Sequence, residues 1–222
     1  MRSLLPTSVR AACLLASAPL LGALLVAAPA EAHPVQVSGW GLQHLINRME
    51  TVDCTDGFHA RDRKGRPIVL TAATCGKKGT LWYTSNNGRT LGRIVARRLT
   101  TSLYRDYAAI RVTGPVTLTP RVHDGDKRRL VSGVSRPRLG LRVCLTGQAK
   151  HRECGRITSI TATSFTTTIS AERGDVGGPI FDRRPNGTVR AVGILSSGDA
   201  LGSTASRVDK ALEALDLRLM GS

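Results

Sequence analysis

Beyond its first 32 residues the chain is a series of short apolar, β-branched runs separated by turn signals, a pattern that predicts strands. Pro67–Ala72 is one such run. Gly79–Ser85 and Thr90–Arg97 flank Asn86-Asn87-Gly88, which predicts a hairpin because Asn and Gly tolerate positive φ. Tyr107–Val112 and Val116–Val122 continue the pattern. His123–Gly140, rich in Gly, Pro, Ser and charge, reads as a linker. Leu141–Leu145, Cys154–Phe165 and a hairpin over Ile180–Ile194 around Pro185-Asn186-Gly187 follow. Only the end has helical spacing, with Val208, Leu212, Leu215 and Leu217 behind Ser206 as N-cap. The pattern predicts two β lobes, residues 33–122 and 123–222, and a terminal helix.

The first 32 residues predict an export signal instead of structure. Arg2 and Arg10 mark a basic start, Ala11–Ala28 is nearly continuous apolar sequence, and Ala30-Glu31-Ala32 fits a small-x-small cleavage site. Cleavage is expected after Ala32, with Ala30 as the second choice. Pro19 interrupts the apolar run and argues against a transmembrane anchor. Arg10, three residues before Cys13, does not suit a lipoprotein box.

Charge and cysteine usage narrow the class. The whole chain carries a formal +16. Without residues 1–32 it has 30 basic and 15 acidic residues, a formal +15. In an exported protein that balance favours anionic cell-envelope polymers, acidic lipids or an extracellular protein as partner, and no nucleic acid is expected. Cys54, Cys75, Cys144 and Cys154 are an even set for an oxidising compartment and allow three disulfide connectivities. They lack the paired C-x-x-C spacing of a metal site, and the histidines show no ligand spacing, so neither metal nor cofactor is expected.

Five segments carry a resemblance. Gly174-Asp175-Val176-Gly177-Gly178-Pro179 resembles the Gly-Asp-Ser-Gly-Gly-Pro loop of chymotrypsin-like (trypsin-like) serine proteases, with Val176 at the nucleophile position. Thr71-Ala72-Ala73-Thr74-Cys75 resembles the family's Thr-Ala-Ala-His-Cys segment, with Thr74 at the general-base position. Asp106–Val112 resembles the segment that carries the buried aspartate. Cys54-Thr55-Asp56-Gly57-Phe58, and Val143-Cys144 with Cys154-Gly155-Arg156-Ile157, are similar to segments of the streptogrisins, the bacterial secreted branch. The resemblance implies an all-β fold of two packed six-stranded antiparallel β-barrels with a C-terminal α-helix, and disulfides Cys54–Cys75 and Cys144–Cys154.

It also implies residue roles. Asp106 is the retained triad carboxylate, Thr74 and Val176 are inactive replacements, and the Gly174 and Val176 amides form the oxyanion hole. Ser170 lies at the specificity pocket, Ser196-Ser197-Gly198 is the peptide-binding edge, and Ser196 is the expected donor to Asp106. Asp175 pairs with a cation in the family, and the sequence names none for it here. His59 reads as a surface or edge residue. The chemistry needs a nucleophile, an imidazole and an orienting carboxylate together. Two of the three are replaced, so the sequence points to a secreted serine-protease homologue acting as a binding or scaffold protein. The alternative is an active serine-type endopeptidase with relocated catalytic residues.

Overall fold

The computed structural model describes residues 33–46, 50–100 and 105–222. The export signal read over residues 1–32, with Cys13 and the cleavage site, lies outside them. The first strands are β1 (Val35–Ser38), β2 (Gly41–Leu45), β3 (Thr51–Thr55), β4 (His59–Asp62), β5 (Pro67–Thr71), β6 (Leu81–Thr84) and β7 (Thr90–Thr100). Next come β8 (Arg105–Val112), β9 (Thr117–Asp124) and β10 (Lys127–Val134). The last are β11 (Arg142–Leu145), β12 (Glu153–Ile160), β13 (Ser164–Thr167), β14 (Pro179–Arg183), β15 (Val189–Gly198), β16 (Ser203–Arg207), the helix α1 (Val208–Leu215) and β17 (Leu217–Leu219).

Two sheets contain all of these strands. One runs β17-β4-β5-β8-β7-β6-β2-β3. The other runs β1-β9-β10-β15-β14-β11-β12-β13-β16, and pairing of β15 with β16 closes the last six strands into a barrel. Within that barrel every pairing is antiparallel. The parallel pairs, β1 with β9 and β10 with β15, lie outside it. Closure removes the sheet edges that would otherwise stay unpaired.

Three sequence expectations change. Residues read as a linker include the strand β10, which forms a hairpin with β9. Polar residues with Gly and Pro hid it, because Val131 and Val134 are its few core-facing positions. The run Cys154–Phe165 divides into β12 and β13 at a turn where the Thr161 and Ser164 hydroxyls, 2.8 Å apart, close on each other. Arg207, not Ser206, occupies the N-cap of α1. Its guanidinium pairs with Asp209 at 2.6 Å, while the Ser206 hydroxyl accepts the backbone N–H of Asp106 at 2.9 Å.

The cores follow the alternation of the strands. Trp82, Leu91, Ile94 and Ile110 fill the first lobe; Val143, Leu145, Phe165, Ile180 and Val192 fill the closed barrel. A third cluster, with Phe58, Tyr107, Phe181 and Val208, draws on both sheets and the helix. Both disulfides link the expected pairs, Cys54–Cys75 and Cys144–Cys154. In the chain-entropy view each contributes about 3 kcal/mol by constraining the unfolded chain.

A buried polar network ties β1, β4 and β9 together. The Gln36 amide donates to Asp56 Oδ2 at 2.8 Å. His59 is buried instead of lying at the surface: its Nε2 is 3.1 Å from Asp56 Oδ2 and its Nδ1 2.7 Å from the Thr119 carbonyl. Both ring nitrogens lie within hydrogen-bond reach of an acceptor oxygen. Asp56→Ala removes the partner of the buried Gln36 amide and His59 ring and should cost about 1–3 kcal/mol, read as a lower urea midpoint. A midpoint shift equivalent to less than about 0.5 kcal/mol would show that the ring is solvated, as for any surface histidine.

Candidate functional site

The short helical turn Ala73–Cys75 follows β5 and brings Thr74 to the end of β8. There Asp106 Oδ1 accepts the Thr74 backbone N–H at 2.8 Å, and Oδ2 accepts the Thr74 hydroxyl at 2.9 Å. Burial raises the Asp106 pKa, and the donors from Thr74, the Ala73 amide and the Arg97 charge pull against that rise. Ser196 is not the donor expected for this carboxylate. Its hydroxyl is 3.2 Å from that of Ser206, which in turn receives the Asp106 N–H. A small hollow lined by Thr74, Leu99, Arg105, Asp106, Ser196 and Ser197 opens here.

The loop 172–178 enters the same region from the other lobe. Its shape rests on Asp175, fully buried, whose Oδ1 accepts the amides of Ala149 and Lys150 and whose Oδ2 accepts that of Glu172, each at 2.9 Å. The cation that family resemblance leads one to seek is replaced by three backbone donors. Thr55 clamps the loop from the first lobe: its hydroxyl donates to the Gly174 carbonyl and its amide to that of Val176, both at 2.7 Å. Gly174 has φ +99° and Gly177 φ +92°, conformations that other residues adopt only with strain. Among the described residues, neither the Gly174 nor the Val176 N–H has an acceptor. The Val176 side chain packs against the core that holds the Cys54–Cys75 bridge.

The remaining expected residues frame this loop. Beyond Ile194, β15 pairs only with β16 among the described residues, so Ser196, Ser197 and Gly198 have an open flank on their other side. Ser170 is half-buried, next to Ala171, whose amide donates to the Asp199 carbonyl at 3.0 Å. The structure therefore brings Thr74, Asp106, Ser196 and Ser197 to one hollow, and the loop 172–178 meets β15 beside it, where the Gly177 amide donates to the Leu195 carbonyl at 2.8 Å. Sequence reasoning missed Thr55 as the clamp on that loop. Its place beside Cys54 in the Cys-x-x-Gly-Phe segment was the available signal.

A closed six-stranded barrel packed with a second β-sheet, carrying a Gly-Asp-x-Gly-Gly turn and a buried carboxylate, is the architecture of chymotrypsin-like proteases. The family model for trypsin matches residues 64–213, and the chain belongs to the trypsin family. The Nocardiopsis protease is similar in structure, with a TM-score of 0.70 at 28% identity over 84% of this chain and 99% of that one. Thermobifida fusca Protease A shares the fold, with a TM-score of 0.70 at 24% identity over 85% of this chain and 100% of that one. An uncharacterized protein of Mycobacterium tuberculosis is 29% identical over 193 residues, 82% of this chain and 83% of that protein.

Thr74→Val removes the hydroxyl that meets Asp106 Oδ2 and should cost about 1–3 kcal/mol, measured as a lower melting temperature. An unchanged melting curve would mean that water replaces it freely. Asp106 also predicts a pH effect. Its native pKa is raised, so the folded state holds this proton more tightly than the unfolded chain does. Its contribution to stability is largest at acid pH and declines as pH rises from the ordinary carboxylate range through the native pKa. Asp106→Asn should abolish that part of the decline in a melting-temperature series from acid to neutral pH. Parallel profiles for the two proteins would contradict it.

Proposed function

We propose that this is an exported trypsin-family homologue that binds without hydrolysing, with Val176 at the nucleophile position and Thr74 at the base position. The observation that carries the reading is the Thr74–Asp106 contact. Both carboxylate oxygens are engaged by the backbone and hydroxyl of one threonine, in the place where an orienting aspartate would hold an imidazole. Valine offers no heteroatom. Losing nucleophile or base in a protease of this mechanism costs roughly a million-fold in turnover, and the oxyanion donors alone leave roughly a thousand-fold over water.

The other histidines support the same reading. His59 is held by Asp56 and Thr119, His44 by the Leu81 carbonyl at 2.9 Å, and His123 stacks on Trp40 with ring centroids 5.4 Å apart. His33 and His151 are exposed and line no part of the hollow beside Asp106. A relocated catalytic base has no candidate among them. Two disulfides fit an oxidising compartment, and among the described residues no helix is long and apolar enough to cross a membrane. These features agree with the export expected from the sequence of residues 1–32. The free Gly174 and Val176 amides and the open flank at Ser196–Gly198 leave the cleft with the donors and the strand edge that an extended peptide uses.

The purified protein should neither react with a fluorophosphonate probe nor digest casein. Labelling of the unaltered protein would establish an active serine hydrolase and end the reading. Thr74→His combined with Val176→Ser restores a base and a nucleophile beside Asp106, and the pair should label and cleave small activated esters. Either change alone should do little, because the groups act as a unit. A folded but unreactive double variant would mean that the cleft has been rebuilt around some other task.

A further inference from the structure

Strand register collects positive charge on the outer face of the closed barrel. In the β11–β12 pair, Arg142 stands directly opposite Arg156. Cys144 stands opposite Phe181 in the antiparallel β11–β14 pair, so Arg142, two residues before the cysteine, neighbours Arg183, two residues after the phenylalanine. All three arginines are exposed. They make a row across three adjacent strands, with a step of about 4.8 Å.

The row continues into a cluster of ions. Arg183 Nε is 3.2 Å from Asp124 Oδ2, Arg152 is 3.6 Å from Asp124 Oδ1, and Arg129 pairs with the same carboxylate. Arg184 pairs with Asp182 at 3.2 Å. Four of these six arginines thus share two carboxylates, and both of those are buried. Like charges placed directly opposite across a strand pair destabilise the sheet. Among the described residues no carboxylate pairs with Arg142 or Arg156; the Arg156 guanidinium donates only to the Gly140 carbonyl, at 2.9 Å. A shallow groove lined by Leu141, Arg142, Arg183, Arg184 and Pro185, with Asp182 held by Arg184, runs beside the row.

We propose that this arginine band binds a linear polymer of phosphate groups. Guanidinium forks match phosphate oxygens bidentately, and a polymer charged on every unit can occupy neighbouring forks at once. An extended acidic peptide fits less well, because its same-side carboxylates repeat at about 6.6 Å, wider than the step of the row. Sites for single-stranded nucleic acid add rings on which bases stack to the charge that meets the backbone. Phe181, the aromatic residue on this part of the sheet, is fully buried and offers none. The site lies on strand faces of the closed barrel and does not depend on the cleft being inert.

The test is titration of the purified protein with inorganic polyphosphate at several salt concentrations. Polyglutamate and a single-stranded oligonucleotide of similar length serve as competing probes. Wild-type protein should prefer polyphosphate, with an affinity that falls steeply as salt rises. Arg142→Gln with Arg156→Gln should weaken binding about tenfold or more and lower the salt slope by about two. Arg93→Gln with Arg98→Gln, the same charge removed from exposed positions on β7, should change affinity by less than about twofold. If the glutamine pair folds poorly, Arg142→Lys with Arg156→Lys keeps the charge and removes the forks, and should lose affinity while keeping the salt slope. Equal weakening by the β7 pair would reduce the effect to net charge and overturn the site. So would equal or tighter binding of polyglutamate or the oligonucleotide, or no binding of polyphosphate at low salt.

Discussion

A carboxylate withdrawn from water must be met by donors, and this requirement shapes both halves of the cleft. Asp175 gathers three backbone amides, which folds the loop 172–178 so that two other amides are left facing outward. Asp106 obtains its donors from the turn after β5, fixing Thr74 against β8. Thr55 then ties the loop to the first lobe through two hydrogen bonds. The cleft is therefore held by backbone and hydroxyl groups, and none of these contacts needs a catalytic side chain. A fold maintained in this way can lose its chemistry while keeping its form.

The sequence displayed the parts of this molecule that depend on local pattern. Strand runs such as Pro67–Thr71 and the Asn-Asn-Gly turn were legible because alternation and positive φ leave marks within a few residues. The Gly174–Pro179 loop was legible because its glycines serve close approaches that few other residues permit. What escaped notice was set by distant partners. β10 looks like linker because its pairing with β9 and β15, and not its composition, makes it a strand. His59 looks like an edge residue until Asp56, Gln36 and Thr119 close around it. Ser206 has the chemistry of a helix cap, yet its hydroxyl serves Asp106, a hundred residues away.

The two readings of function occupy different surfaces and rest on different physics. At the cleft the forces are short-range: a threonine hydroxyl and amide occupy the lone pairs of Asp106. The arginine band concerns uncompensated charge, which acts over a Debye length and responds to salt.

The bridge between Cys144 and Cys154 has a mechanical consequence. These residues face each other directly, so the covalent bond pins the alignment of β11 against β12. Two positions along, the same alignment holds two guanidiniums side by side. Their repulsion favours sliding one strand past the other, and a slip of a single residue would turn one of them inward. The sulfur bridge forbids that slip. In a reducing environment the cationic face would lose the staple that holds its register, so the band is tied to the redox state of a bond on its own sheet.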